Sequence, residues 1–270
     1  MSELLHADGL SARIGTRTLL QALQLQVAPG ETVAVLGENG AGKSTLLRLL
    51  AGERPAPPLQ VQGEVRLDGR VLHRWKALER ARRRAVLPQR PEVAFAFSAF
   101  EVAQLGRHAA VQRGSAREEQ DIAAQALRVT DAWHLAGREV NTLSGGEQAR
   151  VHLAAAFAQL WEEQADGPRY LLLDEPTAAL DLAHQHGLLL AARAFAARRG
   201  IGIVTVLHDL NLAAMYADRV LLLHQGHVLG LGAPADVLSE ATIAAGFGVR
   251  AQVLSHPLAD APLVATAAAA

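Results

Sequence analysis

Residues 32–50, TVAVLGENGAGKSTLLRLL, constrain the fold more than any other stretch of this chain. The first five are β-branched or apolar throughout, the pattern of a strand buried on both faces. A glycine-rich run follows, and from Ser44 to Leu50 the leucines favour helix. Strand, glycine loop and helix in that order open a βα unit. Gly37-Glu38-Asn39-Gly40-Ala41-Gly42-Lys43-Ser44 matches G-x-x-x-x-G-K-[ST] in full. The glycines let backbone amides turn inward toward phosphate oxygens, and the helix start adds its positive end. Lys43 is placed to reach the β- and γ-phosphates and the Ser44 hydroxyl to hold Mg²⁺. A match this short also occurs as a structural turn. Here the flanking strand and helix supply the context that phosphate binding requires, and the expected binding set runs from Gly37 through Thr45.

Composition removes several classes. Among 270 residues, 26 basic side chains face 27 acidic ones, a net charge of −1 with no electrostatic footprint for nucleic acid. Half of the residues are hydrophobic and a fifth charged, which marks a globular chain. With no cysteine there is no disulfide, thiol nucleophile or zinc–thiolate site, which fits a reducing compartment. The opening MSELLHADGL lacks the pattern of a secretory signal, and no apolar run reaches about 18 residues.

The first ninety residues read as short strands broken by turns. LQLQV (23–27) alternates before Pro29-Gly30, and GEVRLDGR (63–70) alternates up to an Asp-Gly turn. Residues 92–165 are alanine- and leucine-rich, with Ser-x-x-Glu helix starts at Ser98–Glu101, Ser115–Glu118 and Ser144–Glu147. They read as a helical lobe inserted into an α/β core of residues 1–91 and 166–248. Strand–helix alternation resumes near 168, with helices near 181–199 and 210–217 and a hairpin over 219–232. Residues 249–270 read as a tail whose end, ATAAAA, lacks pattern and caps and frays.

YLLLDE (170–175) is an apolar strand ending in two carboxylates. By itself such a segment is an ordinary solvated strand end. Beside a phosphate loop it puts Asp174 at the sheet edge where ligands bind, as a metal ligand, and Glu175 where it can polarise a water. Thirty residues before Asp174, Leu143-Ser144-Gly145-Gly146-Glu147-Gln148 places two glycines and a serine at a helix start, a second anion-binding geometry.

In this order the motifs resemble those of ABC ATPases, with LSGGEQ as the signature sequence. The resemblance implies an α/β P-loop NTPase (RecA-like) core with an N-terminal antiparallel β subdomain and an inserted helical lobe. It implies ATP and Mg²⁺ as ligands, and a head-to-tail homodimer in which Ser144, Gly145 and Gly146 face the partner's phosphate loop. Gln89 in Leu87-Pro88-Gln89 matches the glutamine that senses Mg²⁺ and the attacking water. Asp181 in Ala179-Leu180-Asp181 matches the aspartate loop at the dimer seam, and His208 after IVTVL matches the switch histidine at the γ-phosphate. One departure stands out. Family members often stack adenine on an aromatic near the N-terminus, but Ser11-Ala12-Arg13-Ile14-Gly15 has none, which leaves Arg13 as the candidate.

Residues 206–238 are similar to ATPase subunits of importers for iron chelates, vitamin B12 and heme. AFAFS (94–98) with EVAQLGR, the linker LWEEQADGPRYLLLDEP, LDLAHQ (180–185) and VLSHP resemble the heme (hemin) importer branch. The resemblance implies two separate integral-membrane permease subunits, a periplasmic heme-binding protein upstream, and a place at the cytoplasmic face of the inner membrane. A siderophore or vitamin B12 importer is the alternative, and a soluble non-transport ABC ATPase a more distant one. Residues 90–107 are the candidate docking surface, with Phe95, Phe97 and Phe100 either anchors for the permease or core of the lobe. His184 and His186, two apart on a helix, cannot chelate one metal, and they and His256 read as solvated. The run Arg80-Ala81-Arg82-Arg83-Arg84 reads as a solvated helix face.

Overall fold

The computed structural model describes residues 4–53, 55–89, 95–109, 114–162 and 167–268. Arg90 and the rest of 90–94, within the expected docking surface, lie outside the described residues, as does 163–166 of the linker.

An antiparallel sheet opens the chain. β1 (Leu5–Ile14) and β2 (Arg17–Val27) form a hairpin over a Gly15-Thr16 turn. β3 (Thr32–Gly37) and α1 (Lys43–Leu50) follow, then β4 (Leu59–Leu67) and β5 (Arg70–Val71), which complete a four-stranded sheet ordered β2-β1-β4-β5. α2 (Ala77–Arg83) leads into β6 (Arg84–Leu87). Three helices come next: α3 (Ala99–Leu105), α4 (Ala116–Val129) and α5 (Gly145–Gln159). All three Ser-x-x-Glu pairs close as capping boxes at their N-termini, satisfying amides that a helix start leaves open.

The α/β alternation resumes with β7 (Arg169–Asp174), α6 (Leu182–Arg199), β8 (Ile201–Val206), α7 (Leu210–Tyr216), β9 (Arg219–His224) and β10 (His227–Gly232). The central sheet is ordered β10-β9-β3-β8-β7-β6, parallel except for β10 at one edge. Along β3, Val33 and Val35 point into one core with α1 and the antiparallel sheet, and Ala34 and Leu36 into another with the later helices. That period-two division is why TVAVL carries no polar interruption. Tyr170 bolts the two sheets together: its buried phenol accepts from the Leu5 amide (2.9 Å) and donates to the Val27 carbonyl (3.0 Å). No helix among the described residues is long and apolar enough to cross a membrane.

Three expectations need correction. After α8 (Pro234–Val237) and α9 (Glu240–Phe247), residues 249–268 are not a tail but a hairpin, β11 (Val249–Ser255) paired in register with β12 (Pro262–Ala268). Alternation in β11 turns Val249, Ala251 and Val253 inward, and Val264 of β12 is buried in the core, so small and apolar residues suffice to hold it. The arginine run is only partly solvated. Arg83 is buried with its guanidinium over Trp75, and burial, reinforced by Arg80, pushes Arg84 down to about 10. Arg107 is buried as well. Its guanidinium pairs with Glu119 (2.7 Å) and Glu162 (3.0 Å) and donates to the Ala158 carbonyl, which makes it a tie inside the lobe and not a docking charge.

Candidate functional site

The sheet order determines what meets at the site. β3, β8, β7 and β6 are adjacent and parallel, so the loops leaving their C-terminal ends emerge side by side. Those loops carry residues 37–42, His208, Glu175 and Gln89, and open α/β sheets bind ligands at this edge.

The phosphate loop needs its glycines for space and for backbone sign. A Cβ on Gly37 would lie 2.2 Å from the Leu223 carbonyl oxygen, and one on Gly42 would lie 2.1 Å from that of Leu19. Both residues also sit at positive φ (145° and 106°). Lys43 is buried and folds back over the loop, donating to the carbonyls of Gly37 (2.7 Å) and Glu38 (2.9 Å). Burial lowers its pKa, while Glu175, Asp174 and Glu38 act in the opposite direction.

Across the loop, the Ser44 hydroxyl donates to Asp174 Oδ1 (3.3 Å). Burial, followed by the adjacent Glu175 charge, pushes the Asp174 carboxyl up; Ser44, Arg48 and Lys43 pull it back. Glu175 follows at φ 50°, a strained left-handed conformation that turns its carboxylate across the strand ends. There Oε1 lies 2.7 Å from His208 Nε2, and Oε2 accepts from Gln89 Nε2 (2.5 Å). Lys43, Ser44, Gln89, Asp174, Glu175 and His208 thus form one constellation. Its oxygen donors at Ser44 and Asp174, with a carboxylate repelled by its neighbour, fit a hard divalent cation such as Mg²⁺.

The signature residues form a second group. Ser144 caps α5, its hydroxyl and amide both donating to Glu147 Oε2 (2.8 Å each), and these bonds hold the Glu147 carboxyl below its usual range. A Cβ on Gly146 would come within 2.8 Å of Leu180, and one on Gly145 within 3.0 Å of Ala179. Two glycines here let the helix start pack against the segment that ends in Asp181. Asp181 caps α6, accepting from the His184 amide (3.0 Å), with the His184 ring 2.7 Å away. His186 instead contacts the Tyr216 hydroxyl (2.8 Å). Among the described residues no hydrogen bond or ion pair joins Ser144, Gly145, Gly146 or Asp181 to residues 37–45.

The arrangement as a whole matches a known one. A family model described as ABC transporter covers residues 20–178. The chain belongs to the ABC transporter family. The hemin import ATP-binding protein HmuV of Gloeobacter violaceus is 50% identical over 262 residues, which span 97% of this chain and 93% of that protein. Among solved structures, an inward-facing metal-chelate type ABC transporter aligns with a TM-score of 0.77 at 26% identity, covering 98% of this chain and 97% of the other. A dimeric ATP-binding cassette bound to ADP and Pi aligns at 0.73 and 24% identity, covering 85% of this chain and 98% of its own, and speaks to fold alone.

The likeness does not extend to the adenine-stacking candidate. Arg13 donates to Gln60 on β4 (2.9 Å). Its neighbour in register is Thr18, whereas Ile14 pairs with Arg17, so Arg13 and Arg17 lie on opposite faces of the hairpin. Arg17 is the arginine at the phosphate loop: a Cβ on Gly40 would lie 2.9 Å from its Nη2. Arg17 is not among the sequence candidates, because only the strand register brings it to the loop. Of the three phenylalanines, Phe97 and Phe100 pack against the lobe core, Phe100 edge-on to Trp133, while Phe95 is 71% exposed.

Proposed function

We propose that this chain is the ATP-hydrolysing subunit of an importer that carries heme (hemin) through separate membrane subunits. The observation that carries the catalytic part is the double engagement of Glu175, by His208 on one oxygen and Gln89 on the other, beside a buried Lys43. The substrate rests on half-identity, along nearly the whole chain, with a protein named for hemin import.

In this reading Lys43 exchanges its own loop carbonyls for the β- and γ-phosphate oxygens of ATP, and the loop amides from Gly37 to Thr45 enclose the phosphates. Ser44, Asp174 and Gln89 would hold Mg²⁺, which when bound supplies positive charge to the phosphate oxygens. Glu175 orients a water and takes its proton as the water oxygen bonds to the γ-phosphorus. The bond from that phosphorus to the β–γ bridging oxygen breaks, and ADP leaves with the bridging oxygen. His208 stabilises the charge that gathers on the γ-phosphoryl oxygens.

Ser144, Gly145, Gly146 and Asp181 serve the other subunit's nucleotide across a head-to-tail homodimer, which accounts for their separation from residues 37–45 in one chain. Closing that dimer excludes water and completes both sites; hydrolysis reopens it. Residues 92–165 act as the lobe that meets two permease subunits at the cytoplasmic face of the inner membrane, with Phe95 as an anchor. A periplasmic heme-binding protein feeds the permease from the far side.

Purified protein is expected to release phosphate from ATP only with Mg²⁺, and Glu175→Gln to keep ATP binding while turnover falls by about 10²-fold or more. Proteoliposomes that combine this chain with its cognate permease subunits are expected to accumulate hemin when ATP is supplied on this subunit's side. Accumulation of a ferric siderophore or vitamin B12 in place of hemin would assign the chain to that substrate instead.

A further inference from the structure

The hairpin of β11 and β12 is fastened to the helix that follows the switch histidine. Asn211, in the first turn of α7, spans both backbone groups of Val264: its Oδ1 accepts from the Val264 amide (2.7 Å) and its Nδ2 donates to the Val264 carbonyl (3.2 Å). A side-chain amide used this way imitates a neighbouring strand, and it is the complete pairing that one residue's backbone can take. Val264 is buried in the same core as Leu212 and Ala213 of α7, so apolar contact and hydrogen bonds act at one point.

His208 stands between two anchors. On one side the Leu207 amide donates to the Val35 carbonyl (3.2 Å), which fixes the chain to the central sheet. On the other, Asp209 caps α7 through the amides of Asn211 (2.7 Å) and Leu212 (2.9 Å). Asn211 therefore joins the cap and the clamp: its amide holds Asp209 while its side chain holds the hairpin. α7 spans only seven residues, a length that is marginal without tertiary support. Its N-terminal turn sets where the His208 ring meets Glu175.

We infer that Asn211 is a positioning residue for ATP hydrolysis, through which the C-terminal hairpin holds α7 and keeps His208 in reach of Glu175. The inference rests on His208 acting in turnover as proposed above. Loss of the clamp leaves the phosphate loop, on the other side of His208, untouched. It therefore lowers the rate of the chemical step and not the affinity for ATP.

The test compares the full chain with Asn211→Ala, which removes both hydrogen bonds, and with Val264→Ala, which keeps them and loosens only the apolar contact between hairpin and α7. The expected result for each is a kcat lowered by about fivefold, KM and Kd for ATP within about twofold of wild type, and faster hydrogen exchange across residues 210–216. In a His208→Ala background, Asn211→Ala lowers kcat no further, because the residue through which it acts is gone. An unchanged kcat in Asn211→Ala would overturn the inference, as would an equal loss with and without His208. If the wild-type chain hydrolysed no ATP, the proposed function would fall and this inference with it. Normal wild-type turnover matched by Asn211→Ala would remove the positioning role alone.

Discussion

His208 Nε2 and Glu175 Oε1 lie 2.7 Å apart, although the two residues leave different strands, β8 and β7. Gln89, from the end of β6, holds the other oxygen of the same carboxylate at 2.5 Å. Three neighbouring strand ends therefore share one general-base candidate. His208→Ala is expected to lower kcat by about 10²-fold with ATP affinity little changed, since the ring acts on charge that develops during transfer. Gln89→Ala is expected to cost about tenfold, and the double variant less than the product of the two. Single-turnover phosphate release checks both.

Arg17 and Arg13 are four residues apart on one hairpin yet face opposite ways. Arg17 reaches the phosphate loop at Gly40, and Arg13 is spent on Gln60. Arg17→Ala is expected to raise the ATP dissociation constant by roughly fivefold, the scale of one charge-assisted contact to an anion at a partly exposed site. Arg13→Ala is expected to leave it unchanged. Titration of both variants with ATP tests the assignment, and equal effects would refute it.

What could be read in advance was what is local. Residues 37–44 and 170–175 each announce themselves within one short segment, and the three Ser-x-x-Glu caps need only three residues' spacing, so they form as the sequence implies. The adjacency of Gln89, Glu175 and His208 depends on sheet order, which family resemblance supplied and periodicity did not. Register places Arg17, and not the candidate Arg13, at the phosphate loop. The C-terminal hairpin was missed because its stability is non-local: alanine-rich strands have little propensity of their own, and Asn211 reaches Val264 across 53 positions. Burial of Arg107 escaped notice for the same reason, since Glu119 and Glu162 reach it from other parts of the lobe.

Arg107 makes a prediction about the lobe itself. Burial disfavours its charge, but the bonds to Glu119 and Glu162 outweigh burial and raise its pKa. Removing the guanidinium strands two carboxylates, one of them largely enclosed. Arg107→Ala is expected to cost about 3 kcal/mol or more of stability, and Arg107→Glu to prevent the lobe from folding. Chemical denaturation measures the first and loss of near-ultraviolet circular dichroism the second. A charge reversal there consequently says nothing about the permease, whereas Phe95→Ala, on an exposed ring, is expected to keep basal ATPase activity and weaken coupling to transport.

Asp174 carries the strongest conflict between function and stability. Its pKa is raised above the usual aspartate value of 3.8, chiefly by burial and then by Glu175. The fold thus favours the protonated form: the associated stabilisation is complete below pH 3.8 and is lost as pH rises through the folded value. At neutral pH the ionised carboxylate is a cost, and Asp174→Asn removes it while nearly preserving shape. The variant is expected to melt about 2–4 °C higher than wild type at pH 7 in EDTA for each kcal/mol relieved. The gain should shrink as pH falls through the raised folded value, where wild-type Asp174 takes up its proton. Mg²⁺-dependent ATP hydrolysis is expected to fall at least about 10²-fold in the same variant, because a neutral carboxamide replaces the anionic carboxylate proposed to hold the metal. Melting curves across pH, with and without MgATP, read both effects together. Added MgATP should raise the wild-type midpoint more than the variant's, and equal shifts would show that Asp174 has no part in holding the metal.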